Sequence, residues 1–118
     1  MRAAGAAWED AALRELQRAG LVLLQRNWHC RYGEIDLVMR DGDTVVFVEV
    51  RYRDAAAPGG AVGSVGAAKR AKLVRAAESF LAAHPRLAQQ TCRFDVVAFD
   101  ADGHGVRCDW RRRAFDAF

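Results

Sequence analysis

Glu34, Asp36 and Glu49 interrupt two apolar, β-branched runs, Gly33-Glu34-Ile35-Asp36-Leu37-Val38 and Val45-Val46-Phe47-Val48-Glu49-Val50-Arg51. A strand interior rejects an isolated carboxylate, because burying an unpaired charge is costly. Carboxylates that reach the same way from neighbouring strands instead make a site for a hard cation, and such a site can serve a nuclease. Side chains alternate along a strand, so Glu34, Asp36 and Val38 share one face, and Val45, Phe47, Glu49 and Arg51 share another. A two-residue turn at Asp41-Gly42 sets Asp36 opposite Phe47 and Glu34 opposite Glu49. Both sets then lie on the same side of the sheet. Asp36 becomes diagonal to Glu49, roughly 7–8 Å away between backbones. Two carboxylates at that spacing suit Mg²⁺, which completes its shell with water and phosphate oxygens. The carbonyl of Val50 is a further candidate ligand. The competing reading is solvent-facing alternation with a Glu34–Arg51 cross-strand ion pair.

Two helical charges bear on the choice. At 100° per residue Glu9 lies within about 40° of both Leu13 and Leu16, on the stripe that faces the core. Lys69 stands in the same relation to Leu73, Ala76 and Phe80. Both occupy first helical turns, where a core-facing charge emerges at the sheet edge. For Glu9 the helix dipole is an alternative reason; for Lys69 it is not, since a cation at an N-terminus is mildly unfavourable. Arg70 and Arg75 face away from the stripe.

These residues need elements to hold them. Residues 6–19 carry helical spacing at Ala12, Leu13, Leu16 and Ala19, with Gly20 as a stop. Segments 21–28, 33–40 and 44–52 read as strands, the last two joined by the Asp41-Gly42 hairpin signal. Residues 55–66, rich in Gly and Pro, read as a loop able to contact a substrate. A helix over 67–83 stops before His84-Pro85. Residues 93–99 and 106–110 read as two further strands. The order α-β-β-β-α-β-β predicts an α/β sheet of five strands flanked by helices, as one domain over 1–118.

The chain has 118 residues, 52% hydrophobic and 28% charged, enough for one core and too apolar for disorder. No apolar run approaches the ~20 residues of a membrane span. Cys30, Cys92 and Cys108 are an odd count without a CxxC, which predicts reduced thiols, a cytoplasmic location and no zinc site. His29, His84 and His104 lack metal-ligand spacing. The formal net charge of +3 is concentrated in Lys69, Arg70, Lys72 and Arg75 on the second helix and in Arg111, Arg112 and Arg113. Such clusters suit a phosphate backbone, although a solvated helix face explains the first equally well.

Glu9, Arg26-Asn27-Trp28, Gly33-Glu34-Ile35-Asp36-Leu37, Val46-Phe47-Val48-Glu49-Val50, Lys69 and Arg93-Phe94-Asp95-Val96-Val97 together resemble the YraN family of small bacterial proteins. The likeness covers nearly the whole chain, the terminal Ala117-Phe118 included. It implies a restriction-endonuclease-like fold with a mixed five-stranded sheet and a PD-(D/E)xK metal site, similar to Holliday-junction resolvases. Under it Asp36 is the metal-binding acid of the second strand. Glu49 is the acid of the ExK triplet with the Val50 carbonyl as co-ligand, and Glu9 is the helix-one acid. The triplet here is Glu49-Val50-Arg51, with arginine where the family usually has lysine. Arginine supplies positive charge but is a poor general base. Three accounts stand: Arg51 orients water, Lys69 supplies the missing amine, or catalysis is lost and binding remains.

The leading expectation is therefore a Mg²⁺- or Mn²⁺-dependent nuclease acting on structured or damaged DNA, with Asp36, Glu49, Arg51 and Lys69 as catalytic residues. Lys69, Arg70, Lys72, Arg75 and Arg111 to Arg113 would track the backbone. The alternative is a non-catalytic nucleic-acid-binding or accessory protein on the same fold. A homodimer using apolar strands, Trp28 or Trp110 is compatible with either.

Overall fold

Helix α1 (Ala3–Arg18) forms where Ala12 and Leu16 recur on one face, and both are fully buried. It starts three residues earlier and ends one residue earlier than the sequence reading, so Glu9 stands in its second turn rather than its first, and Ala19 falls in the exposed turn. Gly20 has φ +95°, and the Leu21 N–H reaches Leu16 O at 3.1 Å while the Gly20 N–H reaches Gln17 O at 3.0 Å. These are the two bonds of a Schellman cap, which needs a left-handed residue at this point. The computed structural model describes residues 3–54 and 65–116. Residues 55–64 of the expected loop and Ala117-Phe118 lie outside the described residues.

Strands β1 (Val22–Cys30), β2 (Gly33–Asp41) and β3 (Thr44–Asp54) follow as an antiparallel meander. Helix α2 (Ala67–Ala83) has the bounds that its spacing predicts. A single 3₁₀ turn (Leu87–Gln89) leads to β4 (Thr91–Ala101) and β5 (Val106–Phe115). The sheet order is β1-β2-β3-β4-β5, with β3 and β4 parallel and every other pair antiparallel. This is a mixed α/β sheet in the expected α-β-β-β-α-β-β order. A parallel pair needs a long crossover, and the β3–β4 connection contains α2.

The central strands are apolar on both faces because helices cover both. Val45, Phe47, Phe94 and Val96 pack with Leu73, Ala76, Ala77 and Phe80 of α2. Leu37, Met39, Val46, Val48, Val97 and Phe99 pack with Ala12 and Leu16 of α1. Residues 45–48 are at most 1% exposed, hence a continuous β-branched run rather than alternation. Trp28 and Trp110 each pack against one of these cores. Among the described residues no helix is long and apolar enough to cross a membrane.

Two sequence expectations are corrected. The hairpin register differs by two residues: Asp41 pairs with Thr44 and Val38 with Phe47, so the turn residues are Gly42 and Asp43. Gly42 has φ +60° and takes the first central position, the place where a II′ turn wants glycine. Asp36 therefore does not face Phe47, nor Glu34 Glu49. An even shift leaves every face unchanged, and it brings Asp36 level with Glu49 instead of diagonal to it. Strand β5, expected to end at 110, runs to Phe115, so Arg111 to Arg113 are strand residues. Their charges hid the strand, and so did a bulge: Phe94 pairs with Phe115 but Val96 with Arg111, and Arg113 has φ +50°.

Candidate active site

The β2–β3 ladder stops at Leu37–Val48, whereas β3 stays paired to β4 as far as Asp54–Ala101. Among the described residues the last third of β3 thus has one edge bare of any paired strand, and both of its faces open into the same space. The first two turns of α1 and the first turn of α2 border that space. The result is a cleft of about 320 Å³ lined by Trp8, Glu9, Asp36, Glu49, Arg51 and Lys69, together with Gly5, Glu34, Val50 and Tyr52.

Glu9, Asp36 and Glu49 are buried there at 3%, 7% and 4% exposure. The carboxyls of Asp36 and Glu49 are close enough for each to shift the proton affinity of the other. The Val50 N–H donates to Asp36 Oδ2 at 2.8 Å. In a strand the N–H and C=O of one residue point to the same side, so the Val50 carbonyl also faces the bare edge. Lys69 Nζ stands 3.5 Å and Arg51 Nη1 3.4 Å from the same oxygen, Glu49 Oε2. From β1, Arg26 spans Glu9 Oε1 at 3.6 Å and Asp10 Oδ1 at 2.8 Å. His29 Nδ1 lies 3.2 Å from Glu34 Oε2.

Burial, and then the neighbouring Glu49 charge, push the Asp36 carboxyl up to about 7 against the pull of the Val50 N–H. Glu49 is raised as well: burial outweighs the attraction of Lys69 and Arg51. The folded protein therefore holds protons that the unfolded chain releases near pH 4. Stability from this pair is full below about pH 4 and is lost as pH rises toward about 7. In chelator the thermal midpoint is expected to fall between about pH 5 and pH 8. Asp36→Asn, which cannot ionise, should flatten that fall, and a midpoint equally pH-dependent in the variant would refute the assignment.

The donor set passes a chemical test for a hard cation. Among the described residues no three His, Cys, Asp or Glu side chains are grouped as a ligand cage. Two carboxylates and a backbone carbonyl are the short, oxygen-only set that Mg²⁺ accepts.

Residues 8–99 match the model described as "Uncharacterised protein family UPF0102", and relatives align over nearly the whole chain. The UPF0102 protein of Stutzerimonas stutzeri (strain A1501) is 54% identical over 116 residues, 98% of this chain and 97% of its own. That of Ectopseudomonas mendocina (strain ymp) is 59% identical over 113 residues, 96% of this chain and 94% of its own.

The chain belongs to the UPF0102 family.

That is the family its motifs resemble. In this UPF0102 protein Asp36, Glu49, Val50, Arg51, Glu9 and Lys69 meet in one cleft, as the strand alternation and helix phases predict. Arg70, Lys72, Arg75 and Arg111 to Arg113 do not line it. Arg70 bonds Val65 O at 3.0 Å and sits over Phe115; Arg111 pairs with Asp109 at 2.9 Å; Arg112 covers Trp110 at 4.0 Å. Arg70 and Arg75 instead border a second depression, with Glu78 of α2 and Phe115 at the end of β5.

Sequence reasoning missed three side chains. Trp8 and Tyr52 line the cleft, and their signal was position: Trp8 adjoins Glu9, and Tyr52 adjoins Arg51. Asp95 is 1% exposed outside the cleft. It accepts from Arg93 Nε at 3.1 Å, Trp110 Nε1 at 3.0 Å and the Arg113 N–H at 3.0 Å. Asp95 therefore caps the β5 bulge, a structural task. Its signal was an acid inside an apolar strand with Arg93 two residues earlier, on the same face.

Proposed function

We propose that this protein is a Mg²⁺- or Mn²⁺-dependent nuclease acting on DNA. The observation that carries the reading is the buried Asp36–Glu49 carboxyl pair, with Lys69 and Arg51 on one Glu49 oxygen, at the bare edge of β3. A pair that costs the fold stability near neutral pH is explained by a cation that would bind its ionised form. Asp36, Glu49 and the Val50 carbonyl would hold the ion, with Glu9 near enough to the cleft to join through water. When bound, the ion supplies Lewis-acid activation of a water nucleophile and of the phosphodiester.

The chain's own groups then have separable tasks. Lys69 and Arg51 place fixed positive charge where negative charge develops on the transferring phosphate. A guanidinium is a poor general base, so Arg51 would orient and neutralise rather than take a proton. Lys69 brings an amine to the same carboxylate oxygen and supports the account in which it replaces the lysine absent from Glu49-Val50-Arg51. The Arg26 guanidinium positions Glu9 from the far side. The N-terminal turn of α2 adds partial positive charge toward a bound phosphate.

Purified protein with Mg²⁺ or Mn²⁺ is expected to cut at least one of a flap, a four-way junction and a single strand. Background rates on all three would sink the reading. Lys69→Ala is expected to lower turnover by about 10²-fold, while Arg51→Lys stays within about tenfold of the parent. The reverse ranking would transfer the main electrostatic role to Arg51.

Arg51 favours a second reading, a non-catalytic DNA-binding or accessory protein. It predicts salt-sensitive DNA binding that ignores both divalent ions and Glu49→Ala.

A further inference from the structure

Part of the cleft wall is aromatic. Trp8 stacks on Tyr52 with ring centroids 4.6 Å apart and planes 12° apart. It also tilts against Phe99 at 4.9 Å. Phe99 is the β4 partner of Tyr52, so the indole lies across both rings. Their exposures differ: Phe99 is 5% exposed, whereas Tyr52 keeps 39%. Tyr52 is thus stacked by Trp8, keeps part of its surface in solvent, and lines the same cleft as Arg51 and Lys69.

A rigid, solvent-facing ring next to cations is the arrangement on which single-stranded nucleic acid docks: the base stacks and the phosphate meets the charge. Bases inside an uninterrupted duplex stack on one another and offer a side chain no open π face. An unpaired nucleotide does. We infer that the Trp8–Tyr52 stack receives one unpaired nucleobase, which makes the substrate class DNA with a single-stranded segment rather than continuous duplex. The inference rests on the nuclease reading for the place of the scissile phosphate, one to three strand positions away at Glu49 to Arg51; base docking itself does not need cleavage.

Two measurements in chelator test it. Fluorescence anisotropy with a short single strand and its matching duplex, at one salt concentration, is expected to show the single strand bound about tenfold tighter. Tyr52→Ala should weaken single-strand binding by roughly 5- to 50-fold and leave the duplex unchanged, while Tyr52→Phe keeps the ring and the affinity. A single strand carrying 2-aminopurine reports stacking on the unaltered protein, so a poorly folded Tyr52→Ala does not end the test. Equal affinity for the two DNAs, or no change in 2-aminopurine fluorescence on binding, overturns the inference. Adding Mg²⁺ separates it from the nuclease reading. Selective single-strand binding without cleavage supports the base-docking site and sinks the nuclease. Cleavage of continuous duplex that Asp36→Asn abolishes supports the nuclease and overturns the base-docking site.

Discussion

Asp36→Asn and Glu49→Gln are each expected to lower Mg²⁺-dependent cleavage of DNA by about 10³-fold or more, equivalent to roughly 4 kcal/mol at the transition state. Both substitutions keep the volume of the side chain and the ability to accept a hydrogen bond. Asn at 36 still offers an oxygen to the Val50 N–H. What they remove is the charge that a cation needs and that the fold tolerates poorly. Burial and mutual repulsion hold the Asp36 carboxyl near 7, so at pH 8 the parent protein carries an ionised pair at a cost in stability. The same variants should therefore melt no lower than the parent at that pH, and Asp36→Asn should melt higher. Lost cleavage with an equal or raised midpoint separates a role in chemistry from a role in folding. Lost cleavage with a collapsed midpoint would reduce the pair to a structural contact. Cleavage that survives both substitutions would place the reaction elsewhere.

Asp95→Ala is expected to act in the opposite sense, destabilising the protein by about 3–5 kcal/mol, as breaking a buried charged network does. Asp95 accepts from the Arg93 side chain, the Trp110 indole and the Arg113 backbone, and Arg93 also reaches Asp41 Oδ2 at 2.9 Å. One carboxylate thus joins β4 to the bulge of β5, and through Arg93 to the β2–β3 hairpin. Removing it takes one of two carboxylate partners from a guanidinium that is only 11% exposed and leaves the bulge N–H without its acceptor. Chemical denaturation should report the loss as a lower midpoint. A change under about 1 kcal/mol would mean that water replaces the carboxylate at little cost. Activity per folded molecule should survive, because Asp95 does not line the cleft.

Much of the cleft was legible because periodicity carries it. Glu9 and Lys69 share phases with Leu16 and Leu73, and the parity of strand positions gave Asp36 and Glu49 one side of the sheet. Parity also explains why a register two residues off left the site intact. The turn was misplaced because Asp-Gly marks a hairpin but does not say which residue leads the turn. Residues 111–115 were missed because an arginine run in an edge strand lacks apolar alternation, and the bulge breaks what alternation remains. Asp95 sat in a segment whose resemblance was noted, yet nothing local says that an acid in β4 will meet a backbone N–H eighteen residues later. Tyr52 was passed over because its use depends on where β2 stops pairing, a tertiary fact.

The irregularities of β1 and β5 have a consequence beyond the cleft. These two strands are the open margins of the sheet. β1 carries a register break between Leu23 and Gln25, and β5 carries the one centred on Arg113. A straight margin of unpaired N–H and C=O groups is a template onto which another chain can add a strand, and from there a fibril can grow. Here each margin changes register partway and twists out of line, and β5 adds consecutive positive charges. Mutations that straighten β5, such as loss of the Asp95 anchor, would thus do more than weaken the fold. They would uncover a growth surface for aggregates that the native chain keeps broken.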